Sequence, residues 1–125
     1  MNQNIAQNIF VHHVLFYLKN PTSAADKNKL LEGLQKLATI ECIRFSDIGT
    51  PAATNRSVIE RDYTYSWLCI FNTAEEEMVY QEHPIHDEFR NNYAHLWEKV
   101  VIYDSTTNTQ AVSYTHLTLP TIYSV

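Results

Sequence analysis

Apolar and polar positions change their period several times along this chain, and each change marks an element. Residues 9–18, IFVHHVLFYL, are dense in β-branched and aromatic side chains, the signature of a strand. Alternate side chains of a strand share a face, so Phe10, His12, Val14, Phe16 and Leu18 point one way. Val11, His13, Leu15 and Tyr17 point the other. Both faces are largely apolar, so this strand should be covered on both sides. NPTSAADKNKLLEGLQKLATI then switches to a helical period. Leu30, Leu31, Leu34, Leu37 and Ile40 form its apolar stripe, and Lys27, Lys29, Glu32 and Lys36 its wet side. Pro21 followed by Thr22 or Ser23 supplies the start, because a hydroxyl accepts from the orphan amides of a first turn.

ECIRFSDIG alternates again over 42–48, a half-exposed strand ended by Gly49, Thr50 and Pro51. After the polar loop AATNRSVIERD, the stretch YTYSWLCIF (63–71) reads as a third strand. NTAEEEMVYQE predicts a second helix, with Thr73 as cap and Glu75, Glu76 and Glu77 in a solvated first turn that suits the helix dipole. His83 ends it, because a residue before proline is driven out of the helical region. Pro84 can open a third helix, PIHDEFRNNYAHLW, whose apolar side is Ile85, Phe89, Tyr93 and Leu96 or Trp97. KVVIYD (99–104) closes the series as a fourth strand.

The order β-α-β-β-α-α-β predicts an α+β, ferredoxin-like fold, a four-stranded antiparallel sheet with helices on one face. That layout leaves apolar surface unspent on the first strand, and Trp67 and Val100, Val101 and Ile102 add to it. A second subunit covering the free face, a concave pocket, or both would absorb the surplus. We expect both.

Length and composition narrow the rest. The 125 residues suit one domain, and 45% hydrophobic content with only 2 glycines marks it as globular. A net charge of −5 with no basic stripe argues against nucleic acid and anionic membrane as partners. The longest apolar run is too short to span a bilayer, and neither a basic leader nor a cleavage site precedes it, so a cytoplasmic location is expected. Cys42 and Cys69 lack metal or redox spacing and read as free thiols in strands. Residues 1–8 look like a loose leader. Val112 onward carries no charge, and VSYTHLTLPT (112–121) resembles the translation of a sequencing adapter. Residues 112–125 are therefore expected to be non-native, with 107–111 a truncated native end.

The chemistry-bearing stretch is YQEHPIHDEF, residues 80–89. A metal site would need both histidines on one helix face, and Pro84 removes His83 from that helix. No metal and no cofactor are expected. An acid–base centre and a plain helix–turn–helix joint both remain.

Three segments, HHVLFYLK (12–19), HPIHDEF (83–89) and WEKVVIYD (97–104), make residues 9–106 resemble the stress-responsive A/B barrel (Dabb) family. The resemblance implies a homodimer joined through the open sheet face, so that two sheets form a dimeric α/β barrel. It also implies a pocket for a small, largely apolar ligand. The best understood member is a plant polyketide cyclase that works without metal or organic cofactor. Its catalytic histidine and tyrosine fall on His86 and Tyr80, and a further pocket histidine falls on His12. Val14, Phe16, Trp97, Val100 and Ile102 are expected to wall the same pocket. In that reading His86 takes a proton from a carbon acidified by a carbonyl, and Tyr80 donates to the developing enolate. His13, where the family favours an aliphatic residue, and the loop 50–62 depart from the pattern. A cofactor-independent cyclase, lyase or isomerase, an antibiotic-biosynthesis-type monooxygenase, and a non-catalytic binding protein are the functions left open.

Overall fold

The strands expected at 9–18 and 63–71 pair with each other in the middle of the sheet. A computed structural model describes residues 8–108. Nearly all of the expected leader, the end of 107–111 and the adapter-like tail 112–125 lie outside the described residues. Strand β1 (Phe10–Leu18) runs antiparallel to β3 (Tyr65–Phe71) on one side and β4 (Trp97–Thr106) on the other. Strand β2 (Phe45–Gly49) flanks β3, which gives the order β2-β3-β1-β4. The central place of β1 explains why both its faces are apolar.

Helices α1 (Ala24–Leu37), α2 (Ala74–Glu82) and α3 (Pro84–Tyr93) pack on one face, completing the ferredoxin-like arrangement. Ser23 caps α1 by accepting from the Asp26 amide at 3.1 Å, and Thr73 caps α2 from the Glu76 amide at 3.1 Å. Leu30, Leu34, Leu37 and Ile40 meet Phe16, Trp67, Cys69, Phe71, Phe89 and Tyr93 in one core. Gly33 is buried where α1 crosses α3. A Cβ there would stand 2.9 Å from Tyr93 Cδ2 and 3.0 Å from Phe89 Cε1, so only glycine allows this approach.

Several boundaries differ from the sequence-based expectation, the third strand starting at Tyr65 and the fourth running on to Thr106. The second strand begins at Phe45, and Cys42 lies in the preceding turn, where the Ile43 amide reaches the Ile40 carbonyl at 3.3 Å. Pairing with β3 starts only at Arg44, whose amide donates to Ile70 at 2.8 Å. Helix α3 stops at Tyr93, and a 3-10 turn (Ala94–Leu96) leads into β4 at Trp97. There Lys19 donates its amide to the Leu96 carbonyl at 3.0 Å, so β1 captures this chain before the helical period has run out. Glu77, expected in the solvent, is instead largely buried, as described below.

The other sheet face carries Val11, His13, Leu15 and Tyr17 of β1, with Leu68, Val101 and Tyr103 set opposite them. Tyr103 of β4 and Phe45 of β2, on the two edge strands, are large exposed hydrophobic residues. Among the described residues no helix is long and apolar enough to cross a membrane.

Candidate functional site

Between the sheet and helices α2 and α3 lies a cavity of about 170 Å³. Strand periodicity delivers its floor, since His12, Val14 and Phe16 occupy alternate positions of β1 on the helix side. Trp97, Val100 and Ile102 come from β4. The step from Trp97 to Val100 breaks the two-residue period, and the break is explained by a register shift. Tyr17 pairs with Lys99, yet Leu18 pairs with Trp97, so Glu98 is skipped. Helix α2 supplies Tyr80 and Gln81, and α3 supplies His86, Phe89 and Arg90. The structure thus brings His86, Tyr80, His12, Val14, Phe16, Trp97, Val100 and Ile102 to one cavity.

The two histidines of HPIH go to different places. His83 is the joint between α2 and α3: its Nδ1 accepts from the Ile85 amide at 3.1 Å, and its Nε2 lies 3.3 Å from Glu41. His86, in the first turn of α3, faces the cavity and is only 8% exposed. Its Nδ1 is buried and has no hydrogen-bond partner among the described residues. Burial, helped by Arg90 and His12 and opposed by Asp87, lowers its pKa to about 4, so the ring is neutral at physiological pH.

Tyr80 stands at the centre of an aromatic cluster. Its ring centroid is 4.8 Å from that of His86, 5.7 Å from that of His12 and 5.4 Å from that of Phe71. Its hydroxyl oxygen accepts from Trp67 Nε1 at 2.9 Å. Burial keeps both this phenol and the neighbouring Cys69 thiol protonated, their pKa values pushed well up.

His12 has partners that the sequence reading missed. Its Nδ1 lies 2.7 Å from Asp104 Oδ1 and 3.7 Å from Glu77 Oε2. His12 and Asp104 are register partners of β1 and β4, and α2 lays Glu77 over them. Gln81 holds Glu77 in place, donating from Nε2 at 2.8 Å. Glu77 was masked by its run of three glutamates, of which Glu76 pairs with Arg44 at 2.7 Å and Glu75 is exposed. Asp104 could have been found by pairing the strands on paper.

The Stress responsive A/B Barrel Domain model (Dabb) matches residues 10–107. No curated protein matches the chain. Several solved structures share its fold. A Dabb family protein with a ferredoxin-like fold from Mesorhizobium loti is 21% identical, with a TM-score of 0.66 over 79% of this chain and 96% of its own. A dimeric ferredoxin-like protein of unknown function from Thermobifida fusca is 17% identical, with a TM-score of 0.64 over 83% and 95%. Hydroxynitrile lyase from Passiflora edulis is 19% identical, with a TM-score of 0.66 over 82% and 95%. With the family model spanning most of its length, this chain belongs to the stress-responsive A/B barrel (Dabb) family.

Proposed function

We propose that the chain works as a homodimer in the cytosol and that each subunit encloses one small, neutral, largely apolar molecule bearing a hydroxyl or carbonyl. The observation that carries this is the orphaned Nδ1 of His86 in a cavity walled by Phe16, Phe89 and Trp97. Leaving a buried polar atom unpaired costs about 1–3 kcal/mol, which a ligand with a matching polar group recovers. The volume sets the scale, since a cavity of about 150 Å³ takes a benzene ring. Pairing through the sheet face of Leu15, Leu68, Val101 and Tyr103 is supported by the dimeric state of the Thermobifida fusca structure. Two free thiols fit a reducing compartment.

Chemistry on that ligand is a second reading, favoured by the contact between the neutral His86 and Tyr80 and by the fold shared with a hydroxynitrile lyase. His86 would accept a proton from the carbonyl compound, and Tyr80, its oxygen already bonded to Trp67, would donate to the oxygen that gains charge. A base of such low pKa needs its protonated form stabilised. Asp87 acts in that direction, and an anionic intermediate would too.

Ligand-observed NMR with benzene, phenol and benzaldehyde tests the binding role. Phenol or benzaldehyde should bind the wild type several-fold more tightly than benzene, and His86→Leu should erase the preference. Equal affinities in the two proteins, or no binding at millimolar ligand, would overturn the assignment.

A further inference from the structure

The expectation that no metal binds rested on the separation of His83 from His86 and on Glu75, Glu76 and Glu77 being solvated acids; Glu77 is not one. A different trio deserves the question. His12 Nδ1, Glu77 Oε2 and Asp104 Oδ1 come from three separate elements, β1, α2 and β4, and all lie within 4.8 Å of one another. They are the candidate metal ligands found among the described residues.

Charge is the first argument. The Glu77 side chain is 13% exposed and the His12 side chain 5%, and among the described residues neither Glu77 nor Asp104 forms an ion pair with lysine or arginine. Two carboxylates around one imidazole leave at least one negative charge uncompensated even if His12 is protonated. Asp104 is half exposed and keeps its charge in water, so the burial cost falls on Glu77, and a cation beside it would offset that cost.

Distance is the second. Tetrahedral bonds of about 2.0–2.1 Å place two ligand atoms roughly 3.3 Å apart. The two His12 contacts, 2.7 Å to Asp104 and 3.7 Å to Glu77, straddle that value. Asp104 is 46% exposed near the end of an edge strand, so it has room to draw back, and Glu77 needs to advance by a few tenths of an ångström. The outer layer is also in place, because Gln81 already orients the Glu77 carboxylate from the same helix.

A third observation comes from the cavity that His12 borders. His86 also lines it, more than nine-tenths buried, with an unpartnered Nδ1. That nitrogen is a polar group in want of a ligand, and His12 is the member of the trio that shares its cavity.

We infer that His12, Glu77 and Asp104 form a binding site for one divalent transition-metal ion, zinc foremost, beside the cavity that His12 borders. One imidazole and two carboxylates suit zinc, and three protein ligands leave a coordination position open, as in catalytic zinc sites. The inference does not depend on the ligand reading above, since it can be tested without any organic molecule.

The test is titration of the full chain with zinc chloride by calorimetry, and with cobalt(II) by visible absorption. The expected result is one equivalent per chain with a tetrahedral cobalt spectrum. Affinity should drop at least about 100-fold in Glu77→Gln and in Asp104→Asn, and about 10-fold in Gln81→Leu. Circular dichroism establishes that each variant is folded, and His12→Asn serves as the further variant if one of them is not. Stoichiometric binding that survives all the ligand substitutions would place the metal elsewhere, for example at His83 and Glu41, and overturn the inference. Absence of binding by the folded wild type at micromolar metal would do the same.

Discussion

Trp67 and Tyr80, one on the sheet and one on a helix, are joined by a hydrogen bond of 2.9 Å from the indole nitrogen to the phenol oxygen, and each residue is 1% exposed. The bond fixes α2 on β3 and turns the Tyr80 ring toward both cavity histidines. Tyr80→Phe removes the acceptor and strands the Trp67 donor. A loss of about 1–3 kcal/mol in urea unfolding is expected. A double-mutant cycle with Trp67→Phe should show coupling of about 1 kcal/mol. Strictly additive effects would mean that the bond contributes nothing.

His86 gives the fold a pH dependence of known sign. Its pKa falls from an ordinary 6.5 to about 4 on folding, so the unfolded chain binds this proton more tightly. The stability linked to His86 is therefore complete above pH 6.5 and is lost as the pH drops toward 4. The full loss is up to about 3 kcal/mol. Denaturation across this window should show a shallower slope in His86→Leu than in the wild type, and parallel curves would refute the assignment. His13, whose pKa is lowered by burial and by His12, titrates in the same sense in both proteins.

Gly33→Ala places a methyl group against the rings of Tyr93 and Phe89, which are stacked with centroids 5.5 Å apart. Stacking on Phe89 and the bond from the Tyr93 hydroxyl to Glu32 at 2.7 Å hold the rings in place. The expected cost is about 1–3 kcal/mol in thermal or urea unfolding. A variant as stable as the wild type would show that the two helices can slide.

Tyr103→Asp puts a charge on the outer sheet face beside His13, at a residue already 60% exposed, so folding should be spared. Light scattering at micromolar concentration should read a dimer for the wild type and a monomer for this variant. Two equal dimers would move the interface off this face.

What the sequence made legible followed from local rules. Proline geometry separates His83 from His86, hydroxyl caps start α1 and α2, and the period of two sorts β1 into its faces. The elements and their order needed little more. Features that depend on distant pairing were opaque. Trp97 reads as the end of a helix until β1 is seen to claim it, and Cys42 reads as strand although pairing starts two residues later. Glu77 reads as one of three solvated acids, because nothing local distinguishes the residue that α2 turns toward His12. The sequence leaves open whether the Tyr80 hydroxyl meets a ligand or only packs, because its Trp67 partner lies 13 residues away on another layer.

Strand β4 walls the cavity on one side and, in the pairing proposed above, forms the seam on the other. Val100 and Ile102 face the cavity, while Val101 and Tyr103, between and beside them, face outward. A proposed occupant and a proposed partner would therefore press on the same backbone from its two sides. Thermodynamic linkage makes any such effect reciprocal: a ligand that favours the paired form must be bound more tightly by it, by the same factor. With such a coupling, dilution would empty the cavity, and filling it would hold the two subunits together.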